Sequence, residues 1–163
     1  MSTRGVGTGG RDEADGALRP LRHVAATTEA LREDTLSEQE VRTAVVQVAA
    51  AVEMSLRRLL RDDERAELQL RLSALAPDEL RPDKVLAELG QLDRISIDLA
   101  AAIHSLFEAR QQLRQGGPLA PRDRVLAYQV ADRLEEEATR PAAPPPTELH
   151  PTPNFAADDD VTL

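Results

Sequence analysis

Apolar residues recur at three- and four-residue intervals along most of this chain, a period that predicts helices rather than strands. Over 38–61, Val41, Val45, Val48, Val52, Leu56 and Leu59 form one stripe, which Ala44, Ala49, Ala50 and Ala51 widen. Over 64–76, Leu68, Leu72 and Leu75 repeat the pattern. Over 82–93, Val85, Leu86, Leu89 and Leu92 point inward. The stretch 97–117 reads as the organising helix, with Leu99, Ile103, Leu106 and Leu113 on one side and Arg110 continuing that same stripe. A last helix over 121–139 is expected to bury Val125, Leu126, Tyr128, Val130 or Ala131, and Leu134, with Glu135, Glu136 and Glu137 facing water. A short helix over 17–33, starting at or just after Pro20, is carried by Leu21, Val24, Ala25 and Leu31.

The punctuation agrees with these periods. Ser37 and Glu40 make a capping box, in which a serine oxygen takes one backbone N–H and a glutamate reaches back for another. Pro77 ends the second pattern, Pro82 suits a first helical turn, and Ser96 can cap the organising helix with Asp98 in its first turn. Gly116 and Gly117 stop that helix and Pro118 prevents its resumption. Arg57, Arg58 and Arg61, beside Asp62 and Asp63, read as end charges on a solvated face. Residues 1–16 are polar and glycine-rich, and 140–163 pass from PAAPPPTELHPTP to an acidic end; both read as disordered tails. One domain over 17–139 is expected, with its core over 38–139: an all-α bundle of four or five helices.

Composition narrows the class. Two Phe, one Tyr and no Trp leave an interior of small and aliphatic side chains. No cysteine is present, which removes disulfides, thiolate nucleophiles and cysteine-containing zinc sites together. A net charge of −9 argues against non-specific binding to nucleic acid or an anionic membrane. No stretch has the length of a membrane span or a secretory leader, so a soluble, cytoplasmic protein is the expectation. Lys84 is the only lysine, so the basic charge is almost wholly arginine.

No phosphate-binding glycine loop, zinc-protease, nucleophile-elbow or calcium-loop motif occurs. His23, His104 and His150 are dispersed, which gives neither a metal site nor a requirement for a cofactor. Chemistry concentrates instead in LFEARQQLRQGG. A long Ala-rich helix ending LRRLL, a helical connector, then Ile95-Ser96-x-x-Leu99 leading a helix that ends in an arginine-led polar cluster and glycine, followed by one more helix, resembles the HEPN superfamily of small helical bundles over about residues 38–138. The resemblance implies a signature R-N-x-x-x-H, whose arginine and histidine form a metal-independent ribonuclease site in active members, commonly completed by dimerisation. Here Arg110 matches the arginine, Gln111 stands where asparagine is usual, and Gln115 stands where histidine is required.

That departure has a chemical meaning. RNA cleavage without a metal needs a group that takes a proton from the 2′-hydroxyl near neutral pH, a task for imidazole and not for a neutral amide. His104 does not replace it, since it lies about 9 Å along the helix axis from Arg110, on the other side from position 115. Arg110, Gln111, Arg114, Gln115 and His104 therefore form a candidate cluster that is either anion-binding or structural, and no residue is assigned to catalysis. Arg110 can bind phosphate with Arg114, or pair with a carboxylate from the first or last helix. The expectation is a non-catalytic interaction or regulatory module that acts on a protein partner or a second copy. An atypical ribonuclease or nucleotide binder is the alternative. ARQQLRQGGPLAP followed by RLEEEA is also similar to part of the K-type gas vesicle accessory proteins, a resemblance that residues 38–92 do not share.

Overall fold

The computed structural model describes residues 15–63 and 80–140, and among them every regular element is a helix. These are α1 (Arg19–His23), α2 (Ala25–Glu33), α3 (Glu38–Arg61), α4 (Pro82–Gln91), α5 (Ile97–Arg114) and α6 (Pro121–Ala138). The all-α class is as the periodicity predicts. The helix expected over 64–76, and nearly all of the two tails, lie outside the described residues.

The hub is α3 rather than α5. It packs against all five other helices, and Val45, Val48, Ala49, Val52 and Leu56 are fully buried. Each such Val or Leu contributes about 1.5–3 kcal/mol relative to exposure. Its start is fixed by both halves of the capping box: the Ser37 N–H donates to Glu40 at 2.9 Å and the Glu40 N–H to Ser37 Oγ at 3.3 Å.

The stretch over 17–33 is not one helix. Val24 (φ −107°, ψ 21°) breaks it, so that α1 packs on α3 while α2 packs on both α3 and α6. Residues 15 and 16, expected in the tail, are already helical, and Ala17 and Leu18 are fully buried. The Gly16 carbonyl accepts from Arg58 at 3.2 Å, which ties this entry to α3.

Helix α4 stops at Gln91, two residues before 93, because Asp93 is left-handed (φ 57°), a conformation that Asp tolerates better than most residues. Leu92 is consequently only half-buried. Helix α5 ends in a Schellman motif: Gly117 N–H reaches the Gln112 carbonyl at 2.7 Å and Gly116 N–H the Leu113 carbonyl at 3.1 Å. Gly116 supplies the positive φ of 83°, and a Cβ on Gly117 would sit 2.9 Å from the Gln112 oxygen, so the two glycines are needed for different reasons.

Helix α6 differs from its expected face. Its buried stripe is Asp123, Ala127, Val130, Ala131 and Leu134, whereas Val125, Leu126 and Tyr128 are only half-buried. The stripe begins on a charged residue, so apolarity alone misplaces it. Asp123 reaches back to the Ala120 N–H at 2.9 Å, as the return half of a capping box. Glu137 does not face water either, since it accepts the Ser96 N–H at 2.8 Å and the Ser96 hydroxyl at 2.7 Å.

Candidate functional site

Arg110 occupies the inward stripe of α5 and is 7% exposed. A guanidinium there must be neutralised or the burial is prohibitive. Glu53 on α3 supplies the charge: Arg110 Nη2 lies 2.7 Å from Glu53 Oε1. The guanidinium also stacks on Phe107 one turn back, with Cζ 4.7 Å from the ring centroid. The other Glu53 oxygen accepts from Arg57 Nε at 3.0 Å and Nη2 at 2.7 Å. Arg57 also donates to the Leu80 carbonyl at 2.7 Å, which joins α3 to the approach to α4.

Glu53 is thus held between two guanidiniums at the seam of α3 and α5. Burial works to raise its pKa, but hydrogen bonds from Arg57 and Arg110, with their charges, outweigh that and hold the carboxyl below its usual range. The network is an anion already bound. Both arginines are already matched to the Glu53 carboxylate.

The remaining cluster residues are not gathered around Arg110. Gln111, Arg114 and Gln115 are exposed, and the Gln115 N–H is spent in closing the last turn of α5. His104 is 57% exposed and pairs with Glu108 at 3.2 Å along the solvent face of α5, away from Arg110. His23 is exposed at the end of α1, and His150 lies outside the described residues. Among the described residues no group of three or more His, Asp or Glu side chains is arranged to hold a metal. No described helix is long and apolar enough to cross a membrane.

Four residues escaped the sequence reading. Glu53 stands four residues before Arg57, a helical ion-pair spacing that marks it only in hindsight. Arg57 and Arg58 are not end charges in water but donors to carbonyls of other segments. Asp63, expected on a solvated face, is buried and meets Arg94 at 2.8 Å. Arg61 and Asp62 do lie at the surface.

Fold and site together define an all-α bundle in which a buried arginine–carboxylate network joins the central helix to the helix carrying the arginine-led cluster. No family model, no curated protein and no solved structure matches this chain.

Proposed function

We propose that this chain is a non-catalytic interaction or regulatory module, resembling a HEPN domain whose catalytic motif has degenerated, which acts through contact with a protein partner or a second copy. The observation that supports it most directly is the Glu53 carboxylate bonded to Arg110. To bind RNA phosphate, Arg110 would first have to release a half-buried carboxylate that it already neutralises. Gln115 adds nothing that titrates near neutral pH, and His104 is turned to another face. Among the described residues of this cluster, none is placed to carry the proton that cutting needs. Met54 on α3 and Ile97 on α5 are large apolar side chains at the surface, 50% and 88% exposed, that a partner could cover.

The test is incubation of the purified full chain with mixed-sequence RNA in a chelator, alongside Arg110→Lys. Intact RNA in both samples is the expected result. Cleavage by the wild type that is absent from the variant would overturn the proposal. Thermal unfolding that does not move on adding nucleotides or short RNA up to about 1 mM is the matching expectation for binding.

A further inference from the structure

A groove of 390 Å³ runs between α2 and the N-terminal half of α3, on the flank of α3 away from Arg110. Ala26, Ala30, Leu36 and Ala44 form its apolar lining, with Thr43 and Glu40 among the residues along α3. Alanines here let an incoming backbone approach closely, and a groove walled by two helices suits a third helix laid between them.

The surrounding charge is mostly acidic. Residues 25–40 carry Glu29, Glu33, Asp34, Glu38 and Glu40 against the single base Arg32. Arg32 pairs with Glu29 and with both Asp132 oxygens at 2.7 Å on the α6 side, and Arg124 lies 3.5 Å from Asp34, which leaves Glu33, Glu38 and Glu40 outside any ion pair among the described residues. No Lys, Arg or His lines the groove. The hydrogen bond and the charge of Glu29 raise the pKa of Glu33, as expected where carboxylates crowd one another. At the mouth of the groove Glu40 stays ionised, its pKa lowered by the Ser37 N–H and hydroxyl.

We infer that this groove docks a cationic amphipathic helix of a partner protein, its apolar face against the alanines and its lysines or arginines against the carboxylates of 25–40. A second copy of this chain is disfavoured at that place, since each brings a net charge of −9. The inference rests on the interaction reading above for its kind of function, while its surface is separate from the Arg110 network.

The probe is a fluorescent 14-residue peptide of leucines and lysines at helical spacing, titrated against the full chain at about 0.15 M salt. Saturable binding is expected, weakened at least about tenfold by Ala30→Trp, which fills the groove, and about threefold or more by Glu33→Lys at its edge. Gln129→Trp on the exposed face of α6 should leave it within about twofold. Glu33 is fully exposed, so its variant decides the matter if Ala30→Trp does not fold. Three results would each overturn the inference: no binding, binding that ignores Glu33→Lys, or equal binding of the peptide with glutamate for lysine. Self-association lost in Ala30→Trp would do the same by making a second copy the occupant. Failure here with RNA left intact removes the groove alone, whereas RNA cleavage removes the wider proposal and leaves the groove standing.

Discussion

Replacing Arg110 by methionine separates a structural arginine from one kept for binding. Methionine retains most of the stem volume, so no large cavity opens and the change isolates the guanidinium. The side chain loses a charge-assisted hydrogen bond to Glu53, about 1.5–3 kcal/mol, and its stacking on Phe107, about 0.5–2 kcal/mol. An abandoned buried carboxylate would cost about 3–5 kcal/mol, but Glu53 keeps both bonds from Arg57, so that limit is not reached. The expected loss is about 2–3 kcal/mol, read by urea denaturation followed by far-UV circular dichroism. Arg110→Ala adds the missing stem and should cost about 3–5 kcal/mol. Combining Arg110→Met with Glu53→Gln should give a coupling energy of about 1–3 kcal/mol, because the two side chains share one contact. Arg114→Ala, on the exposed side of the same helix, should stay within about 0.5 kcal/mol of wild type. A loss below about 0.5 kcal/mol for Arg110→Met would refute the argument and return Arg110 to the binding candidates.

Other expectations follow from single contacts. Gly117→Ala should destabilise by about 1–3 kcal/mol, since its Cβ meets a backbone carbonyl at 2.9 Å; melting temperature checks it. Ser96→Ala removes the cap on Leu99 N–H and one of the bonds to Glu137, and should cost about 1–2 kcal/mol in urea titration. Ser55 has a fully buried hydroxyl without a hydrogen-bond partner, so Ser55→Ala should be neutral or stabilising by up to about 1 kcal/mol in the same assay. Acid should unfold the protein partly through Glu53 and Glu137. Burial tends to raise Glu137, but bonds from Ser96 and Arg133 leave it, like Glu53, below the ordinary value. A depressed carboxylate contributes its full stability above the unfolded pKa of about 4.3 and loses it as pH falls through the folded value, so Glu53→Gln and Glu137→Gln should each flatten the acid limb.

The ends of α3 and α5 were legible because they are written in local chemistry. Ser37 with Glu40, Ser96 ahead of Leu99, and Gly116-Gly117 are signals that act within a few residues of themselves. The faces of α3 and α5 were legible because their apolar stripes are broken only at Ser55 and Arg110. What failed was whatever depended on a distant element. Glu137 sits in a run of three glutamates that reads as water-facing, and only the placement of Ser96 beside it turns that side chain inward. Asp123 and Ala127 head the buried stripe of α6 because other helices close over that side, while the bulkier Leu126 and Tyr128 lie at its margin. The bend at Val24 carries no glycine or proline of its own. In the candidate site, the cation on an inward stripe was visible; its partner was not, because pairing Arg110 with Glu53 requires the register between α3 and α5.

That register suggests why an ionic contact stands at a seam that leucines could have filled. Aliphatic stripes on two helices can slide by a turn and still bury similar area, so apolar packing alone specifies the relative height of α3 and α5 weakly. Glu53 with Arg110 fixes one height, and Arg42, donating at 2.9 Å to the Gly117 carbonyl just past the end of α5, fixes a second one. Both contacts join a side chain of one helix to a particular group of the other, and a shift by one turn of about 5.4 Å would break both at once. The cost falls on a misaligned bundle, where Arg110 and Glu53 would be buried apart. Apolar residues at 53 and 110 should therefore preserve stability while admitting a second packing of α3 on α5, visible as doubled amide resonances for α5. A single set of resonances in Glu53→Leu/Arg110→Leu would show that the aliphatic stripes with the Arg42–Gly117 contact specify the register without the ion pair.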